Sequence, residues 1–171
     1  FVGSALAMVT VISERRLNRL LNKSLSMGLP AYLTKGAGMM SGMMLMQYTA
    51  GALVCENRIL STPASIGSIP AAADQEDFVS MGMTTLLKTR DIIKNAFAGM
   101  AMEMIAAAQA FDLLKPLKPG KGSLAAYEVI RKHVPYMDDD RPLHNDINAM
   151  AAAVMSGEVL AAVESAVGEL K

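Results

Sequence analysis

Apolar positions recur along most of this chain at three- and four-residue steps, the spacing of one face of an α-helix. Leu6, Val9, Ile12, Leu17, Leu20 and Leu21 follow that spacing, so a helix is predicted over residues 5–25. The stretch SMGLPAYLTKGAG then breaks the pattern with Gly28, Pro30, Gly36 and Gly38 and reads as a loop. A second helix is predicted from about Ser41 to Arg58, followed by an irregular connection, STPASIGSIP, bounded by Pro63 and Pro70. From Ala72 to Leu114 no proline interrupts the run, and Val79, Leu86, Ile93, Met100, Ala107 and Leu114 fall seven apart. Met83, Phe97, Met104 and Phe111 form a companion seam that only Arg90 interrupts. The pattern predicts one long helix packed in bundle fashion. It would span roughly 65 Å at 1.5 Å per residue, whereas a compact globule of this length is about 40 Å across. Such a helix has to project, and its Ala- and Met-rich surface needs partners. The chain is therefore expected to be an oligomer subunit or part of a larger protein. KPLKPGKGS (115–123) ends the long helix, and a short helix near 123–134, the acidic loop PYMDDDRPLHND and one or two Ala-rich helices follow.

Composition strengthens the helical reading. Of the 171 residues 52% are apolar, Met reaches 15 and Trp is absent, and Ala, Met and Leu are strong helix formers. An all-α fold follows. Sixteen basic residues balance 16 acidic ones, which argues against a nucleic-acid partner, because phosphate binding needs a surplus of Lys and Arg. No polybasic segment suggests a membrane surface. The single Cys55 cannot form an internal disulfide, which fits a reducing compartment, and a cytoplasmic location is expected. No signal-peptide pattern is present, and the first residue, Phe1, hints at a fragment.

Several motifs have both an ordinary and a functional reading. GAGMMSGMMLMQYTAGALVC (36–55) carries no charge, and Gly38 and Gly42 make a GxxxG. Gln47 and the scarcity of flanking aromatics favour a buried bundle helix over a membrane span. PGKGS lacks the spacing of a phosphate loop. Asp138, Asp139, Asp140, His144 and Asp146 lack the alternation and central Gly of a Ca²⁺ loop and read as a turn with helix caps. Cys55, in an apolar helical run, reads as packing, with a thiol nucleophile assisted by His133 or His144 as the lesser alternative. DQED (74–77) is the most informative motif. Read as a first helical turn, it offers Asp74 as a cap and acids at the positive end of the dipole. Gln75 and Glu76 would then point in different directions. If the helix is buried in an assembly, one carboxylate sits in a restricted environment and is a candidate base.

ISERRLNRLLN (12–22), GLPAYL (28–33), SGMMLMQYTAGALVCENRIL (41–60), PASIGSIP (63–70) and DQEDFVSMG (74–82) occur in the order and spacing of a known family. The chain resembles the carboxy-terminal half of the aromatic amino-acid ammonia-lyases, the histidine-specific members above all. The resemblance is strong over residues 1–115, which it makes the C-terminal half of the central helical bundle. It is looser over 116–171, a helical tail region. It implies an all-α homotetramer, with the N-terminal half of the same enzyme and an amino-acid substrate as partners. The family's electrophile is a methylidene-imidazolone (MIO) formed from an internal Ala-Ser-Gly. Ammonia leaves as a β-proton is removed, so histidine would give urocanate. By resemblance Glu76 is the catalytic residue, and Gln75 and Glu76 bind substrate. No Ala-Ser-Gly occurs in this chain, so no residue here forms the cofactor, no metal is implied, and the chain alone is expected to be inactive. Phe78 and Asp74 stand where histidine-specific members carry His and Asn, and Ala72 replaces a residue often polar, which leaves the aromatic substrate open. An aminomutase of the same superfamily and a non-catalytic helical scaffold or oligomerisation module are the alternatives.

Overall fold

A computed structural model describes residues 1–170. Six α-helices follow one another: α1 (Val2–Leu21), α2 (Met44–Leu60), α3 (Gly82–Leu113), α4 (Lys121–His133), α5 (His144–Met155) and α6 (Glu158–Val167). Short 3₁₀ turns occupy Ala31–Leu33 and Ala64–Gly67. Among the described residues there is no strand, only isolated bridges at Ala37–Met40 and Ala71–Glu76. The all-α class expected from the sequence is the class observed.

Helices α1, α2 and α3 pack on one another, α5 lies across α3, and α6 lies along α4. One core runs through them all. Leu17, Leu21, Met46, Met102 and Ile105 meet Ile130, Val134, Met137, Met150 and Val159, so the apolar interior is continuous across residue 115. Thr10, Asn57 and Asn95 form a polar seam between the first three helices: the Asn57 amide donates to Thr10 Oγ1 at 3.1 Å and the Asn95 amide to Asn57 Oδ1 at 3.0 Å. Among the described residues no buried side-chain polar atom lacks a partner, as a close-packed interior requires.

The long helix differs from expectation in two ways. It is continuous through Arg90, but it begins at Gly82 and not at Ala72. Its 32 residues span roughly 48 Å. Ala72, Ala73, Asp74 and Met81 all have positive φ, a region that no right-handed helix contains, and Gly82 is a poor interior residue, which places the boundary there. Second, the seven-apart seam is not the buried face. Met83 and Leu86 are 69% and 65% exposed. The buried face runs through Ile92, Ala96, Gly99, Met102, Ala106 and Gln109, again three and four apart, and Ala101, Ile105, Ala108 and Ala110 widen it toward the C-terminal end. The seven-apart seam follows the large apolar side chains, whereas the buried face mixes large residues with the small Ala96 and Gly99. At Gly99, an added Cβ would already stand 3.4 Å from Thr10 Cγ2.

The uncharged stretch 36–55 also divides. Gly38 and Gly42 lie before α2 with φ of 109° and 55°, so the GxxxG is not helical. At Gly42 a Cβ would come within 2.6 Å of the Tyr32 carbonyl, and only glycine fits. Met46, Ala50 and Val54 then turn into the core. No single described helix is long and apolar enough to cross a membrane. The bent pair α5–α6 reaches the length and composition together, at 58° to each other.

Candidate functional site

The chain between α2 and α3 carries DQED, and its local structure follows from its residues. Pro63 and Pro70 cannot donate backbone hydrogen bonds, which keeps the segment out of regular structure. The 3₁₀ turn Ala64–Gly67 leads to Ser68, whose Oγ accepts the Val79 N–H at 2.9 Å. Inside that contact, the Ala71 N–H donates to the Glu76 carbonyl at 2.9 Å and the Glu76 N–H to the Ala71 carbonyl at 3.2 Å. Both contacts close around the tip Ala72–Gln75. Three successive tip residues, Ala72, Ala73 and Asp74, are left-handed at φ 53°, 53° and 65°, which costs roughly 1–2 kcal/mol for each residue with a Cβ. Asp74 is suited to this position, since a short polar side chain tolerates the left-handed region.

Glu76 therefore lies in a loop six residues before α3, not in its first turn, and Asp74 does not cap that helix: Met81 is at the cap and makes no side-chain cap bond. The backbone of Glu76 is tied on both sides, while its side chain is exposed. Gln75, Glu76, Asp77 and Phe78 share the wall of an open concavity of about 810 Å³ with Met81 and Met83. Phe78 is 74% exposed. The structure thus brings Gln75 and Glu76 together on one wall, with an aromatic ring and methionines beside them. The burial expected around the carboxylate is not supplied by this chain. Sequence reasoning passed over Ser68 and the left-handed tip; Pro70, which cannot donate within a ladder, was the available signal.

The other titratable groups are committed elsewhere. Asp140 accepts the Ser41 and Gly42 N–H groups at 2.7 and 2.8 Å, fastening the acidic loop to the start of α2. Asp146 pairs with Arg141. His133 meets Glu158 at 2.8 Å and His144 meets Asn148 at 3.0 Å. Cys55, expected as packing, is instead exposed, and it lines a groove of about 490 Å³ with Glu14, Tyr32, Gln47 and Tyr48. At the far end of α3, Asp112 is partly desolvated, which pushes its carboxyl up. Hydrogen bonds from Lys115 and Tyr127 and the Arg131 charge outweigh this and hold it below the usual carboxylate range.

Comparison with known proteins gives the chain's family and its relatives in fold. The family model described as aromatic amino acid lyase matches residues 1–132. Histidine ammonia-lyase of Myxococcus xanthus is 55% identical over 165 residues, covering 96% of this chain and 32% of its own length. Among solved structures, histidine ammonia-lyase from Trypanosoma cruzi superposes with a TM-score of 0.87 at 37% identity, over 98% of this chain and 34% of that one. Tyrosine aminomutase from Streptomyces globisporus gives a TM-score of 0.93 at 38% identity, over 98% and 32%. The chain spans about a third of the length of the relatives it matches.

Proposed function

This chain belongs to the aromatic amino acid lyase family, and on that premise we propose that it is part of an ammonia-lyase acting on an aromatic L-amino acid, first of all L-histidine. The observation that carries the reading is Glu76: a carboxylate with a fixed backbone and a free side chain, beside Gln75 and the Phe78 ring, in a chain 55% identical to a histidine ammonia-lyase. In the reaction the Cα–N bond breaks, a proton leaves Cβ, and urocanate and ammonia form. The Glu76 carboxylate accepts a hydrogen bond or a proton from the imidazole or the ammonium of the substrate. The Gln75 amide orients the substrate from the same wall, and Phe78 offers a ring face to an aromatic side chain. The family's MIO electrophile supplies the driving chemistry when present, but this chain has no Ala-Ser-Gly to form it. The 171-residue chain is therefore inactive by itself and works in a reducing cytoplasm, with the rest of the enzyme and with copies of itself, in a homotetramer.

The test compares two substitutions in the intact enzyme. Glu76→Gln keeps the shape and removes the basicity, and should lower histidine turnover about 10²- to 10⁴-fold, the usual worth of a positioned acid–base group. Asp77→Asn removes the same charge one residue away and should cost tenfold or less, roughly, and almost no stability, since surface changes stay within about 0.5 kcal/mol. Equal effects would show that only the general field of the acidic cluster matters and would refute the role of Glu76. A second reading, an aminomutase, is favoured by the 0.93 superposition on tyrosine aminomutase. Product analysis separates the two, because a mutase returns a β-amino acid and a lyase an unsaturated acid.

A further inference from the structure

Glu76 is fixed through its backbone and free in its side chain. Its N–H and C=O both bond to Ala71, and the Ser68–Val79 contact closes a second ring around the same tip. We propose that the left-handed turn Ala72–Asp74 is a positioning device for Glu76: Ala73 and Asp74 set the direction of its Cα–Cβ bond by backbone conformation, and Ser68 holds the limbs of the turn together. The inference rests on the proposed role of Glu76.

The argument runs through the pairing of Ala71 with Glu76. Their mutual hydrogen bonds close only if the four residues between them reverse the chain tightly, which here takes three successive residues at positive φ. A turn returned to the right-handed region would open this pairing and rotate the Cα–Cβ bond of Glu76. A catalytic group has to be held within about 0.5 Å and 10–20° of its productive geometry. The side chain of Asp74 is exposed, so its suitability for positive φ, and not its charge, is what the turn uses. Ala73 isolates the conformational effect. Among the described residues its N–H donates no hydrogen bond, so Ala73→Pro removes none. It forces φ at residue 73 to about −65° where the chain has 53°, and its ring drives Ala72 toward extended backbone as well, so both changes act on the turn's conformation. Ala73→Gly accepts the observed φ without strain.

The experiment measures kcat and KM for urocanate release by the intact enzyme, with each substitution alone and combined with Glu76→Gln. Ala73→Pro should lower kcat about 10- to 100-fold, as small misplacements of catalytic groups do, while KM moves less than about threefold. Ala73→Gly should stay within about threefold of the parent. In the Glu76→Gln background Ala73→Pro should add less than about threefold, because residues acting through one group are not additive. Ser68→Ala should lose about 3- to 10-fold and Ser68→Thr should restore it, since removing a hydrogen bond loosens the support without removing the group. That pair decides the matter if Ala73→Pro fails to assemble. Ala73→Pro as active as Ala73→Gly, or a loss that adds in full to that of Glu76→Gln, or Ser68→Ala without effect, overturns the positioning role while Glu76 keeps its own. A harmless Glu76→Gln removes the role of Glu76, and this inference falls with it.

Discussion

Gln109 offers the sharpest test of how this fold is held together. It is fully buried on α3, and its carboxamide serves the backbone of another segment. Nε2 donates to the Met137 carbonyl at 2.7 Å and, more weakly, to the Leu33 carbonyl at 3.4 Å, while Oε1 accepts the Met137 N–H at 3.1 Å. The amide acts as a strand partner for a loop that has none. Gln109→Leu keeps the approximate size and removes both functions. The buried N–H and C=O of Met137 are left unsatisfied at about 1–3 kcal/mol each. A well-seated leucine returns about 1.5–3 kcal/mol through apolar burial. With central values the net loss is about 2 kcal/mol, since the two orphaned groups outweigh one gained side chain. For a chain of this length that lowers Tm by about 4–8 °C. Urea titration followed by circular dichroism gives the global loss, and amide hydrogen exchange at Met137 gives the local one. Asp140 still fastens the same loop to Ser41 and Gly42, so the damage should be confined to residues near Met137. A stability change under about 0.5 kcal/mol, the level of an ordinary surface substitution, with the Met137 amide still protected, would refute the reasoning.

Two further outcomes are expected. The Asp112 carboxyl titrates below its ordinary range in the folded chain, so its contribution is present above the unfolded value, near 3.9, and is lost as pH falls through the folded one. The difference in urea midpoint between the parent and Asp112→Asn should accordingly be constant from neutral pH to about 5 and shrink toward pH 2; a difference that grows on acidification would contradict the assignment. The exposed seam of α3 predicts self-association: sedimentation of the parent chain should show species heavier than a monomer, and Met83→Lys with Leu86→Lys should reduce them. A strictly monomeric parent would remove the argument.

The sequence was legible where one physical rule dominates. Periodic apolar positions, ended by Gly and Pro, located α1, α2 and α4 to within a few residues, because helix formation there is set by neighbours in the chain. The failures share a cause. Val79 lies in phase with Leu86 and Ile93, so the period carried the long helix back into DQED; what stops it is backbone conformation at Ala72–Asp74 and Met81, and alanine and methionine give no local sign of positive φ. The buried face of α3 was missed because contact distance is decided by the partner. Gly99 faces Thr10 of α1 because it is small, a property that a ranking by hydrophobicity discards. Gln75 and Glu76 were found through a resemblance of ordered blocks, since nothing in their composition marks an exposed acidic loop as a site.

The same surface connects the unfinished packing with the unfinished chemistry. In this chain the Glu76 carboxylate faces solvent, and a carboxylate in water is a weak base. Immediately around it in the chain stand Phe78, Met83, Leu86 and Leu87, all exposed. A partner seated on that apolar surface would also take Glu76 out of contact with water. On the proposed reading, association does two jobs with one contact: it buries side chains that this chain leaves open, and it encloses Glu76 with them. The left-handed turn has a place in this scheme. Its backbone bonds to Ala71 and its support from Ser68 lie within one chain, so the direction of the Glu76 Cα–Cβ bond is set within this chain, and the free side chain and its surroundings remain to be completed.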